Sequence, residues 1–594
     1  MTDEKHTLAQ EFTLRGFHGD YKVQIRLKVT LPIMQTLIAW VVCALVASVV
    51  SQEVLQNGGF ESTHHWDCWS PIQCKIVTDS HSGAGAMEVQ NRKKYWQGPS
   101  QYINVTRGTG YEVSAHIKLQ NDRGIGHRVE LQVEFEMTDG THEYKRAASQ
   151  EETRADDGWV HLIGLFYVPN KDVRLTRIHY QGPEEGISFV VDDASVKPTP
   201  SGAAAADVSS DIDRLRRSNI VVNVTAGGNI NHGEVSIRVV QKKKSFPFGT
   251  AVYSWVYNDA SQTKYRDFIH QHYNWAVPEK ALKWGTIEPN RGQKNYQLGL
   301  NMIHGLKSHG IKVRGHNLVW SVDSFVQSWV KALHGDELRK VVHDHIVETV
   351  NTFKGLVEHW DVNNENLHGQ WYQHQLNDSS YNLELFRNAH AADPNVKLFL
   401  NDYNVVSDGA STNAYLQQGK QVKAANVSLY GMGVQCHFGD EANPNVAGMK
   451  QHLDTLAQVG VPIWATELDV VATDENKRAD FYEHALTALY SHHAVEGILM
   501  WGFWDKVHWR GARAALVVGD NLQLTAAGRR VLELYEHRWM TDETHNLAAG
   551  TQFTVRGFHG DYEVHVIYQG QERTNLKQTF TLGNAAHTIN INIS

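Results

Sequence analysis

Between residues 53 and 197, apolar and polar positions alternate in short runs, YEVSAHIKL, VELQVEFEM, WVHLIGLFYV and ISFVVDDASV, separated by Gly, Asn and Asp. Period-two alternation places every second side chain on one face, so each run predicts a strand with one buried side. Several such strands in succession predict a β-sandwich. The pattern changes over residues 246–539. Eight apolar runs, FGTAV, NWAVP, KVRGHNLV, HWDVNNE, LFLNDY, GMGVQCHF, PIWATEL and GILMWGFW, alternate with amphipathic helices such as DELRKVVHDHIVETVNTFK. Strands that recur with a helix between them build parallel sheets, and eight such units predict a (β/α)8 barrel. From residue 540 to 594 the chain returns to strands, QFTVRGFHGDYEVHVIYQG and KQTFTLGNAAHTININ, a small C-terminal β-rich module.

The stretches between these units differ in texture. KPTPSGAAAAD at 197–207 is rich in small residues and proline, so 198–245 reads as a linker followed by a short helix and lead-in strands. LPIMQTLIAWVVCALVASVVSQ at 31–52 is the one long apolar run, and it ends in small residues as a secretory signal does. Residues 34–52 are therefore expected to be a signal peptide, with a signal anchor as the competing reading. Residues 1–33 precede it, and MTDEKHTLAQEFTLRGFHGDYKV there nearly repeats MTDETHNLAAGTQFTVRGFHGDYEV at 540–564. A partial copy of the C-terminal module joined upstream, or a start at Met34, accounts for that order.

Composition narrows the function classes. Charged residues make up 20% of the chain and the net charge of −9 is not blocked into runs, which leaves nothing to attract nucleic acid or an anionic membrane. The 17 Trp and 22 Tyr exceed what cores require, and flat rings with a polar tip suit sugar faces. Of four cysteines, Cys68 and Cys74 can close a short loop, Cys43 lies in the apolar run, and Cys436 is expected to be a buried thiol. No Cys-x-x-Cys or Cys/His zinc spacing occurs, so neither metal nor cofactor is expected. Sequons at Asn104, Asn223, Asn377, Asn426 and Asn592 fit a secretory route and a glycoprotein.

The chemistry concentrates at the ends of the barrel strands. Glu279, His316, Asn364, Glu365, Asn401, Asp402, Gln435, His437, Glu467 and Trp501 all fall there, the rim where barrel enzymes build their sites. Glycosidic cleavage needs one carboxylic acid for the leaving oxygen and one carboxylate to attack or to activate water. Glu365 and Glu467 each close an apolar strand and are the best pair. Gln435 and His437 precede Glu467, and a hydrogen bond from them is expected to keep it ionised as the nucleophile. Glu365, near Trp360 and Trp371, is expected to hold its proton as the acid. A nucleophile about 5 Å from the acid implies retention.

These residues resemble glycoside hydrolase family 10, the endo-β-1,4-xylanase family, and especially invertebrate members with N-terminal binding modules. WDVNNENLHG resembles its acid/base motif and WATELDV its nucleophile motif, which implies those roles for Glu365, with Asn364, and for Glu467. VRGHNLVW with His316 and Trp320, LNDYN, QCHF with Gln435 and His437, and WGFWDKVHW with Trp501 and Trp509 continue the match in order. EKALKW keeps Glu279, Lys283 and Trp284 but has Lys280 where the family has Asn, and Ser321 follows Trp320 where His is usual. Both departures fall where the family grips the non-reducing side of the substrate.

The sandwich resembles carbohydrate-binding modules of the family 4/9/22 kind through NGGFES and FVVDDASV, with Trp66, Trp69, Trp96 and Tyr180 as candidates for stacking on sugars. The resemblance implies a secreted retaining xylanase acting on plant cell-wall polysaccharide, with no protein partner indicated. The competing readings are an endo-β-1,4-glucanase or mixed xylan/glucan hydrolase, and a non-catalytic polysaccharide-binding protein.

Overall fold

The computed structural model describes residues 53–69, 72–107, 109–124, 126–169, 172–198, 208–439, 444 and 446–594, together with strands Thr7–Gly16 and Gly19–Lys28. Those two strands pair antiparallel, with Leu14 opposite Tyr21. The rest of 1–33, the apolar run expected to be a signal peptide, and 199–207 of the linker lie outside the described residues. Among the described residues, no helix is long and apolar enough to cross a membrane.

The eight expected strands form a closed parallel barrel: β1 (Phe248–Val252), β2 (Trp275–Pro278), β3 (Lys312–Gly315), β4 (His359–Asn364), β5 (Lys397–Asp402), β6 (Leu429–Val434), β7 (Ile463–Val471) and β8 (Val495–Met500). Each pairs with the next, and β8 pairs with β1, Phe248 lying opposite Ile498. Such strands are covered on both faces, so they read as nearly unbroken apolar runs. Phe248, Val313, Leu398 and Met432 point outward against the helices. Trp275, Val277, Phe399, Trp464 and Leu499 come from four strands and meet inside the lumen, with Trp501 capping them. Trp464 needs Gly497 beside it, since a Cβ there would sit 2.4 Å from the indole.

The N-terminal unit is a sandwich of two five-stranded antiparallel sheets. One contains Gly110–Leu119, Val160–Tyr167 and Phe189–Pro198; the other contains His127–Met137, His142–Thr153 and Val173–Gln181. Val113, Ile117, Val133, Phe135, Ile178 and Val191 fill the space between them. Cys68 and Cys74 form a disulfide, and Cys436 is a buried free thiol. The sandwich rests on the barrel through the helix Gly409–Ala424, where Arg146 pairs with Asp408 at 2.5 Å.

The lead-in strands and the C-terminal strands are not separate units. Arg217–Ala226 pairs with Gln552–Phe558 and His587–Ile593, and Val235–Lys244 pairs with Asp542–Asn546 and Gly560–Tyr568. Ile220, Val222, Val235 and Ile237 share one core with Val555, Tyr562, Val564 and Ile591. The barrel is thus inserted between two halves of a small second sandwich.

Candidate active site

Strand ends carry the site. Glu365 directly follows β4 with φ of 57°, a left-handed conformation that a non-glycine residue seldom adopts and that recurs at functional positions. Its backbone N–H donates to the Asn401 carbonyl of β5 (2.8 Å), which holds the turn. Glu467 lies within β7, every residue of which is buried up to Val470.

The two carboxyls have different surroundings. Glu365 accepts from Trp320 Nε1 (2.9 Å) and Gln435 Nε2 (3.0 Å), both neutral donors. Burial pushes its pKa up; those two bonds oppose the rise and the nearby Glu467 charge adds to it. Glu467 accepts from Asn401 Nδ2 (2.8 Å), which also donates to Asn364 Oδ1 (2.8 Å). Thr466 Oγ1 donates to Asn401 Oδ1 (2.6 Å) and so fixes which way that amide faces. His437 Nε2 lies 3.4 Å from one Glu467 oxygen and His316 Nδ1 4.0 Å from the other. Burial pushes Glu467 up, but His316, His437 and Lys283 outweigh it and hold the carboxyl below its ordinary range.

The cation on His437 has its own support. Burial opposes protonation, yet Asp469 and Glu467 raise the imidazole to about 10. Asp469 meets His437 Nδ1 at 2.9 Å and also accepts from Arg510 Nη1 (2.7 Å) and Trp509 Nε1 (2.7 Å). His316 rests on Asp361 (2.9 Å), itself paired with Arg314 in the lumen. Glu279 closes the opposite edge; burial raises it, against Lys280 and Lys283. The Lys283 ammonium sits 4.5 Å over the Trp320 ring and 5.8 Å from that of Trp501. Two adjacent carboxyls driven in opposite directions are what acid and nucleophile assignments require.

Several expectations change in detail. Gln435 bonds Glu365 rather than Glu467, so His437 alone of that pair faces the second carboxyl. Trp360 is not beside Glu365: alternation along β4 turns its ring outward into the helix layer, near Phe353, and Trp371 packs there too. The ring that touches Glu365 is Trp320. Trp284 also faces away, its indole bonded to Glu288 (3.1 Å) and stacked on His345 at 4.1 Å. Ser321 turns inward, donating to Asn363 Oδ1 (2.5 Å), while Lys280 remains half exposed 4.0 Å from Glu279. Asp469 was legible: two residues beyond Glu467 on one strand, it must face the same side.

A second polar surface lies on the N-terminal sandwich. Val129, Leu131, Val133 and Phe135 point inward, so Glu130, Gln132 and Glu134 line the outer face of the same strand. Glu134 accepts from Arg177 Nε (2.7 Å) and Tyr144 Oη (3.0 Å) and meets His142 Nδ1 at 2.8 Å. Arg177 lies 4.5 Å over the Trp69 ring and 5.4 Å over Tyr102, and Trp96 is 5.3 Å from Trp69. Trp66 and Tyr180 do not join this surface. Both are core residues, Trp66 stacked on Phe60 at 4.6 Å and Tyr180 fully buried.

A closed parallel barrel with paired glutamates at its C-terminal rim is the arrangement of a two-carboxylate glycosidase site. Residues 236–534, half of the chain, match the model of glycosyl hydrolase family 10, and residues 52–183 match that of a carbohydrate binding domain. The chain belongs to glycosyl hydrolase family 10. Endo-1,4-beta-xylanase 1 of Arabidopsis thaliana is 30% identical over 81% of this chain and 49% of its own length. The anti-sigma-I factor RsgI6 of Acetivibrio thermocellus is 36% identical over 61% of this chain and 47% of its own. The solved structure of xylanase 10B from Thermotoga petrophila in complex with xylobiose aligns with a TM-score of 0.46 at 26% identity, covering 49% of this chain and 94% of that one. The chain spans about half the length of the first curated relatives it matches.

Proposed function

We propose that this chain is secreted and cleaves internal β-1,4-xylosidic bonds of xylan with retention, Glu365 acting as general acid/base and Glu467 as nucleophile. The observation that carries this reading is the opposed titration of the two glutamates, one raised by burial beside neutral donors and one lowered beside His316, His437 and Lys283. In the first step a Glu467 oxygen bonds to the anomeric carbon while the glycosidic C–O bond breaks, and the Glu365 proton passes to the leaving oxygen. In the second, Glu365 takes a proton from water as that water attacks the glycosyl ester, which frees Glu467 and returns the proton to Glu365. Asn364, Gln435 and His437 orient the pair, Glu279, Lys283, Trp320 and Trp501 bind sugar, and Trp509 flanks the cleft. Trp69 and Trp96 of the sandwich hold the polysaccharide near the barrel, which raises its effective concentration.

The names of the Arabidopsis thaliana relatives, endo-1,4-beta-xylanases, support xylan as substrate. Product analysis after incubation with xylan, carboxymethyl cellulose and mixed-linkage glucan tests the proposal. Short xylo-oligosaccharides from xylan alone are expected. Release from the glucans would move the substrate to β-glucan, and retained binding without release would make the barrel a non-catalytic binding unit.

A further inference from the structure

The outer face of the sheet containing Gly110–Leu119 carries a group of side chains that belongs neither to the active site nor to the polar surface around Glu134. Alternation sends Val113, Ala115 and Ile117 into the core and His116 outward. His161 lies directly opposite His116 on the neighbouring strand, and their rings stack at 4.2 Å. His81, from the loop between strands Gln73–Val77 and Ala86–Gln90, stacks on the other side of His116 at 3.6 Å. On the third strand, pairing slips between Asp192 and Ser195, and Asp193 takes a φ of 50°. Its Oδ2 then lies 2.6 Å from His81 Nδ1 and 3.9 Å from His116 Nδ1, while Ser82 Oγ donates to Oδ1 (2.6 Å) and leaves Oδ2 to the histidines. His116 Nδ1 is buried and has no hydrogen-bond partner among the described residues.

The single Asp193 carboxylate can offset the charge of one imidazole, and a second charged ring in the stack would be repelled by the first. Burial lowers His116 and His161, and their neighbouring imidazoles lower them further, so both favour the neutral form that ligates metals. Nδ1 of His81 and His116 and the Asp193 oxygen form a set whose ligand atoms lie within 4.8 Å of one another. Tetrahedral zinc, with bonds of about 2.0–2.1 Å, sets its donors roughly 3.3 Å apart. The spacings of 2.6 and 3.9 Å lie on either side of that value, and because the ligating lone pairs lie in the ring planes, His81 and His116 would turn out of their stack to bring both Nδ1 atoms onto one ion. Nitrogen donors disfavour calcium and magnesium and suit borderline ions.

We infer that His81, His116 and Asp193 form a site for one zinc-like divalent transition-metal ion on the N-terminal sandwich, with water as the fourth ligand. The ion would tie the loop carrying His81 to the sheet, with Ser82 orienting the carboxylate from behind. His81 and Asp193 are 112 residues apart and the ligands meet only through the sheet register, so no motif spacing announces them.

The test is calorimetric titration of zinc chloride into the untagged, chelator-stripped full chain. The expected result is one site of micromolar affinity or tighter, weakened at least about tenfold in His116→Ala and Asp193→Asn. His493→Ala, at a separate group with Asp454 and the buried His492, should leave that site unchanged. Cobalt in place of zinc should give the visible absorption bands of a tetrahedral nitrogen and oxygen site. Circular dichroism checks each variant's fold, and His81→Ala, a loop substitution, carries the test if His116→Ala does not fold. No binding tighter than millimolar by the wild type, or equal affinity in folded His81→Ala and Asp193→Asn, would overturn the site.

Discussion

The barrel mouth and the outer face of the sandwich both present a glutamate near tryptophan, and the two differ in its surroundings. Glu134 on that face has Arg177, His142 and Tyr144 around it; burial raises its pKa, and those donors bring it below the ordinary range. A carboxylate so fully paired fixes its neighbours in place and has no proton to give. Glu365 at the barrel mouth meets only the neutral Trp320 and Gln435 and is raised. The counter-charge, more than the acidic residue, decides which carboxyl can keep a proton: Glu134 and Glu467 have one beside them and are lowered, and Glu365 is raised.

The sharpest way to break this comparison is Glu467→Ala. Activity on xylan should fall by about 10⁴-fold or more, with azide restoring turnover to an inverted product. Wild-type rates in that variant would remove the nucleophile. Next is Glu365→Gln, expected to lose about 10²–10⁴-fold on xylan and much less on aryl xylosides whose leaving group needs no proton. Equal losses on both substrates would end the acid assignment.

His437→Gln sharpens the comparison by removing one counter-charge from Glu467. Because His437 helps hold that carboxyl low, its loss should raise the Glu467 pKa and move the acid limb of kcat/KM to higher pH, while the alkaline limb, which follows Glu365, stays. Movement of both limbs together would mean that the pair titrates as a unit. The smallest effect belongs to the sandwich. Trp96→Ala should weaken binding to insoluble xylan by about tenfold or less and leave kcat on soluble xylo-oligosaccharides unchanged. A fall in kcat there would join that face to the reaction.

Much of the barrel was readable because its strands are locally patterned: WDVNNE and TELD each place a glutamate where an apolar run stops. What stayed hidden depends on partners far away in sequence. Asn401 reads only as one more polar residue at a strand end until β4, β5 and β7 come together and set its amide between Asn364 and Glu467. Gln435 could have bonded either carboxyl, and only the packed rim sends it to Glu365. Trp66 and Tyr180 are as aromatic as Trp69 and Trp96, and their burial follows from which side of a strand or loop they occupy. Alternation likewise announced strands at 217–244 and 552–593 but gave no sign that they pair with each other.

That last pairing has a consequence for how the chain is made. The strands ending at Lys244 leave the ribosome with their apolar faces bare, and their partners beginning at Asp542 follow only after the whole barrel. At about 5–20 residues per second this wait lasts roughly 15–60 s. Throughout it two unpaired strands, each lacking its partners on both edges, are open to neighbouring nascent chains. Protein made slowly, or stalled inside the barrel, should be the form most in need of a chaperone.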